Sequence, residues 1–305
     1  MHAHAHHATP AQTSRVLRWS LLVTLAYIVL LIVAGMKAHS LALLSEAGHN
    51  VSDFLALLLS LFAVYLETRP PSQTKTYGYS RAGVLAAFVN ALTLVAIAFY
   101  IFYEAGHRLY APKQVHPQLM IVVAVAGVAL NGVIAILLWR SSDDLNIRSA
   151  FLHMLGDTLS TAAVIAGGWA ILLTGHNWID PALSFGIGAM ILWSSFGIIK
   201  ETVDILLEGI PKGMDLKLVG EDIAAVGGVN DVHDLHVWSI GSGMHALSCH
   251  ISIADIPPSA SEAILREVQE RLAAKFHIHH TTIQFEHVVC DVAHGCVVVP
   301  EKQGH

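Results

Sequence analysis

Six long apolar stretches, separated by short polar breaks, fill the first two thirds of the chain. They run roughly over residues 17–36, 41–66, 82–104, 119–139, 149–174 and 180–206. Each reaches the ~20 residues that carry a helix across a bilayer. The first is too long for a cleaved leader and lacks a small-residue cleavage site, so it reads as a span. Beyond about residue 210 charges become frequent and the apolar runs shorten. Asp215 opens a short helix that runs to about Val226. Val232–Ile240 and Ala246–Ile253 alternate as strands around the Gly241-Ser242-Gly243 turn. Ser259-Ala260-Ser261-Glu262 reads as a capping box before a helix at Ser261–Phe276, and Thr281–His287 as a third strand. The order helix, strand, strand, helix, strand predicts a small sheet with its helices packed on one face.

Composition strengthens the membrane reading. Hydrophobic residues make up 54% of 305 and charged residues 13%, against about 25% charged in soluble domains. Mean hydropathy is +0.57. An ordinary soluble enzyme and a disordered chain are both excluded. Net charge is -6, which argues against a nucleic-acid partner. Lys and Arg near the span ends give the orientation. Arg15, Arg18, Arg69, Lys75, Arg81, Arg140 and Arg148 fall on one side, and Lys37, Arg108 and Lys113 on the other. Both termini and the soluble domain are therefore expected in the cytoplasm, with the chain in an inner or plasma membrane.

The 20 histidines change the picture most. Two of them stand inside apolar stretches, each four residues before an aspartate: His49 with Asp53, and His153 with Asp157. Positions i and i+4 share a helix face. Two such helices face to face offer two imidazoles and two carboxylates, a set suited to tetrahedral Zn2+. Ionisable side chains at membrane depth are costly and mark ion pathways by default. One HxxxD is equally well explained by a buried His–Asp hydrogen bond between helices; the same pattern twice favours a metal. Glu46, a turn before His49, reads as a helix-end charge. Asn90 and Asn131 read as interhelical hydrogen-bonding residues.

The surrounding residues resemble the cation diffusion facilitator family, in its zinc/cobalt/cadmium efflux branch. The resemblance is carried by Ser40-Leu41-Ala42-Leu43-Leu44-Ser45-Glu46-Ala47-Gly48-His49, by Tyr77-Gly78-Tyr79-Ser80-Arg81, and by Leu145-Asn146-Ile147-Arg148-Ser149-Ala150-Phe151-Leu152-His153. Asp180-Pro181-Ala182 and Leu206-Leu207-Glu208-Gly209-Ile210-Pro211 add to it, and it covers about residues 15–290. It implies a homodimer, each protomer with six transmembrane helices and a ferredoxin-like, metallochaperone-like α/β domain in the cytosol. On this reading residues 1–14 are a disordered His-rich arm and 15–209 the transport domain. Residues 210–290 are the metal-binding and dimerisation domain, and 291–305 a Cys/His tail. The implied activity is not enzymatic. It is alternating-access exchange of Zn2+ for protons through His49, Asp53, His153 and Asp157, with Co2+ or Cd2+ as secondary substrates.

The resemblance also implies a cytosolic zinc site at His233, His250, His279 and Glu286. Strand parity agrees in part: His250 falls on the face opposite Leu247, Cys249 and Ile251, and Glu286 on the face opposite Ile283 and Phe285. Cys249 and His236 read as structural. Cys290 and Cys296 are candidates for a tail site, and His2, His4, His6 and His7 for labile metal binding. Arg81 and Glu208 match a family charge pair at the dimer. The positions of a further metal site in some relatives hold Lys75 and Tyr79, so that site is expected to be absent. Two other readings compete: a carrier preferring Co2+ or Cd2+, and a membrane metal sensor without transport.

Overall fold

The structure is a computed structural model and describes residues 10–139, 145–241 and 243–287. The N-terminal histidines, Arg140 and the tail cysteines Cys290 and Cys296 lie outside the described residues. Six long helices come first: α1 (Pro10–Ala38), α2 (Leu41–Glu67), α3 (Ala82–Tyr110), α4 (Pro117–Trp139), α5 (Leu145–Thr174) and α6 (Ile179–Leu206). They are followed by α7 (Leu216–Ala224), β1 (Val229–Gly241), β2 (Met244–Ile253), α8 (Pro258–Phe276) and β3 (Ile278–Glu286). Among the described residues, α3, α6 and the Met154–Thr174 part of α5 are long and apolar enough to cross a membrane. Shorter apolar helical runs occupy Leu22–Ala38 and Pro117–Val133.

The chain divides into two compact units. One comprises Met1–Leu59 and Val89–Ile199, the other Ser60–Phe88 and Lys200–His305. In the first, Tyr27, Leu31 and Ala34 of α1 pack with Leu94, Ala98 and Ile101 of α3 and with Met120 and Val123 of α4. Ala42, Leu43 and Ala47 of α2, Val164 and Ile171 of α5 and Ile187 and Ile191 of α6 belong to the same core. Small residues bring the helices close, as is common between membrane helices. A Cβ at Gly127 would collide with Tyr27 Oη, and one at Gly167 with Leu183 Cδ1.

α1 gives way to α2 at His39, whose φ is 52°. The new helix is capped from a distance. Ser40 Oγ donates to Asp180 Oδ1 at 2.6 Å, and the backbone N–H groups of Leu41 and Ala42 donate to the same carboxylate at 2.7 and 3.2 Å. A carboxylate here satisfies orphan donors and complements the helix dipole. Arg108 Nη1 stands 3.8 Å from Asp180 and donates to the His39 carbonyl at 2.6 Å, while its Nε donates to Glu104 at 2.9 Å.

The second unit holds a three-stranded sheet in the order β1-β2-β3, with β1 antiparallel and β3 parallel to β2. Its core lies on one face: Leu247, Cys249, Ile251 and Ile253 pack under Val219 and Ile223 of α7 and Val268 and Leu272 of α8. The expected element order and one-sided helix packing are both present. Asp215 caps α7 by accepting from Lys217 N at 2.9 Å. The capping box is not formed. α8 starts at Pro258, so Ser259 already lies inside the helix, and Pro257 at the cap position has no side-chain hydrogen-bonding group to offer. Proline is well suited to the first helical turn, which has no use for its missing N–H. β3 starts at Ile278, three residues before the expected strand, and β1 starts at Val229.

Candidate metal centres

In the helical unit, α2 and α5 bring together His49, Asp53 and Asp157. One ligand atom from each lies within 4.8 Å of the others. His49 Nε2 is 3.0 Å from Asp157 Oδ1 and 3.7 Å from Asp53 Oδ2. The i,i+4 spacing on α2 sets the second contact, and the approach of α5 sets the first. His153 belongs to α5, one turn before Asp157, but its side chain lies outside the described residues. Ser52, beside Asp53, donates to Asn90 Oδ1 of α3 at 3.2 Å, the interhelical bond expected of that asparagine.

Glu46 is not a helix-end charge. It is fully buried in the second turn of α2 and accepts from Thr161 Oγ1 at 2.6 Å and Ser160 Oγ at 3.2 Å, both on α5. Helical spacing placed it on the His49 face. Only the packing of α5 shows that this face is interior at that depth. Asp180 is likewise fully buried, and its capping of α2 spans 139 residues of sequence, so no local pattern announces it.

In the sheet unit, His233, His250 and Glu286 form a second group whose ligand atoms lie within 4.8 Å of one another. Register explains it: His233 is paired with His250 on β2, and Glu286 of β3 with Ser252, two residues further along β2 on the same face. His233 Nε2 is 3.1 Å from Glu286 Oε2, and His250 Nδ1 is 2.9 Å from Glu286 Oε1. The two rings meet edge to face at 5.5 Å. Two imidazole nitrogens converging on one carboxylate form a donor set that fits Zn2+.

His279 does not join this group. It is the extra residue of a bulge in β3, between Ile278, paired with His245, and His280, paired with Ala246. It is exposed and lines a hollow with Tyr77, His245 and His280. Burial, helped by His277, holds the His245 imidazole below its usual pKa. His236 is half exposed and sits 3.1 Å from Asp234. Burial, with the nearby Asp234 carboxylate, pushes the Cys249 thiol up to about 12. Cys249 lies in the apolar core under α7 and α8, on the face opposite His250. Arg81 Nη2 donates to Glu208 Oε1 at 3.3 Å and to the Ser239 carbonyl at 3.4 Å within the same chain. Lys75 Nζ stands 5.4 Å from the centre of the Tyr79 ring.

Residues 17–207 match the cation efflux transmembrane domain, and residues 211–288 match the cation efflux protein cytoplasmic domain. The chain is 38% identical over 293 residues to the metal cation efflux system protein CzcD of Cupriavidus metallidurans, covering 96% of this chain and 92% of that one. It is 36% identical over 312 residues to the zinc transporter ZitB of Escherichia coli, covering 100% of this chain and 98% of the other. It is 35% identical over 285 residues to the cadmium, cobalt and zinc/H(+)-K(+) antiporter of Bacillus subtilis, covering 92% and 91%. Among solved structures, the metal-bound C-terminal domain of the CzcD transporter from Cupriavidus metallidurans is similar. It is 41% identical, spans 24% of this chain and 99% of that one, and has a TM-score of 0.22.

Proposed function

The chain belongs to the cation efflux family, and on that premise we propose that it exports Zn2+ from the cytoplasm in exchange for protons. The observation that carries this reading is the His49, Asp53 and Asp157 group, closed to within 4.8 Å inside a helical bundle. The family resemblance supplies His153, one turn before Asp157 in the sequence of α5, as the expected fourth ligand. Two imidazoles favour Zn2+ over oxygen-preferring Mn2+. Co2+ and Cd2+ remain secondary substrates, in keeping with the named substrates of the Bacillus relative.

The exchange follows from the donor chemistry. An ion needs neutral imidazoles and ionised carboxylates, so loading the site displaces protons. His49 Nε2 and Asp157 Oδ1 are hydrogen-bond partners at 3.0 Å. A proton held between them occupies the lone pairs that the ion would use. When the site faces outward, protons arriving at these ligands release the metal; when it faces inward, metal releases the protons. Alternating access thus couples the two fluxes through one set of residues, without a separate base. The carrier is integral to an inner or plasma membrane, with its termini in the cytoplasm, and acts as a homodimer. Zn2+ at His233, His250 and Glu286 stabilises the dimer and biases it toward transport; His279 would have to leave its hollow to join them.

The test is metal uptake into proteoliposomes under an imposed pH gradient, with Zn2+, Co2+, Cd2+ and Mn2+ offered separately. Zinc flux that collapses with the gradient supports antiport. Absence of flux for every ion, with zinc still bound by the cytosolic cluster, would replace the carrier with a sensor.

A further inference from the structure

Behind the cytosolic cluster stand two carboxylates that belong to no ligand set. Asp231 Oδ2 is 3.0 Å from His233 Nδ1, the ring nitrogen turned away from Glu286. Asp234 Oδ2 is 3.7 Å from His250 Nε2, again the nitrogen turned away from Glu286, and Asp234 Oδ1 is 3.1 Å from His236 Nε2. The six side chains form an alternating series of acid and imidazole: Asp231, His233, Glu286, His250, Asp234, His236.

The backbone is shaped to make this series. Asp231 lies two residues before His233 and therefore on the same side of β1; its partner on β2 is Ser252, the residue that also faces Glu286. Beyond His233 strict alternation would send His236 to the opposite face. Instead His233 pairs with His250 and His236 with Ser248, so Asp234 and Leu235 together oppose Cys249. This bulge keeps both histidines on one face. Asp234 takes a φ of 50° within it, a left-handed conformation that Asp tolerates better than most residues. Bulges re-aim side chains beside functional sites, and here the carboxylate is aimed between two imidazoles.

We propose that Asp231 and Asp234 are the positioning residues of the cytosolic metal cluster, each holding an imidazole by the nitrogen opposite the one offered to the ion. This rests on reading His233, His250 and Glu286 as a metal site. An imidazole binds metal through one neutral nitrogen, and a carboxylate accepting from the other N–H fixes both tautomer and ring plane. For His233 the bond to Asp231 reserves Nε2 for the ion. For His250 the longer contact to Asp234 reserves Nδ1. Asp231 has the greater effect, because its contact is shorter and its ring is the more buried, with side-chain exposure of 7% for His233 against 32% for His250.

The test uses the full-length chain in detergent, in an Asp157→Ala background, and the part of the metal signal that His250→Ala removes is assigned to the cytosolic cluster. Zn2+ affinity is measured by competition with a chromophoric chelator, and ligand geometry by the visible absorption of bound Co2+. Asp231→Ala is expected to weaken binding ~10–100-fold, the usual cost of losing such a partner, and to alter the Co2+ spectrum. Asp231→Asn should restore most of the affinity, since its amide oxygen still accepts from Nδ1–H. Asp234→Ala should lose less. Affinity within about twofold of the parent in Asp231→Ala would overturn the proposal while leaving the cluster standing. So would a loss that Asp231→Asn fails to rescue and that matches a lower melting temperature of the metal-free protein. Equal affinity in the parent and His250→Ala would instead remove the metal-site reading, and the proposal with it.

Discussion

The helical unit and the sheet unit each gather imidazole and carboxylate within reach of one ion, by different geometrical means. Between α2 and α5 the group arises from i,i+4 spacing on one helix facing another, and His49, Asp53 and Asp157 are partners of each other. On the sheet the group arises from cross-strand register, and His233 and His250 have additional carboxylates behind them. The helical group sits where a charge left without a partner is costly. The sheet group is partly open, and water can compensate for a missing member. The difference shows that helix spacing and strand register can each bring imidazole and carboxylate within reach of one ion, and that on the sheet further carboxylates stand on the far side of both rings.

The largest effect that would sharpen this contrast is at Asp157. Asp157→Ala should reduce gradient-driven zinc flux to background while the purified protein still binds zinc through the sheet cluster, measured by stoichiometry in detergent. Flux retained in this variant would break the comparison at its first term. Next comes His250→Ala, which should weaken cytosolic zinc binding by more than ~10-fold yet leave residual flux. Glu46→Ala should cost about 1–3 kcal/mol of thermal stability, toward the low end, because Thr161 can still donate to the Asp157 carbonyl. Glu46→Gln, which keeps an acceptor, should cost less, and a differential melting series checks the order. The smallest effect belongs to Arg81 and Glu208. Their contact is solvent-accessible, so a double-mutant cycle should give a coupling of about 0–1 kcal/mol that salt diminishes. A coupling well above that range would mean that the pair is enclosed in the dimer.

The two regions also differ in how legible they were. Helix periodicity is rigid, so His49 and Asp53 could be placed on one face from spacing alone, and the six long apolar stretches correspond to α1–α6. The order of elements after residue 210 followed from turn chemistry and run length. Strand parity is easily broken, and there the reading stopped. The bulge at Asp234 carries His236 to the ligand face, and the bulge at His279 turns that residue toward another hollow. Neither leaves a local mark in the chain. The positions of Asp180 and Glu46 depend on helices that meet only in the folded bundle. Parity did place His250 and Glu286 on the polar face, because the apolar positions that oppose them form the core beneath α7 and α8.

The separation of the two clusters is tested most directly by initial zinc flux in proteoliposomes at a series of free zinc concentrations, comparing Asp157→Ala with His250→Ala under one pH gradient. No flux is expected at any concentration in Asp157→Ala. In His250→Ala flux should approach the parent maximum but need more zinc to reach it. Equal and complete loss in both variants would contradict separate roles for the two clusters, because the sheet cluster would then be part of the transport path.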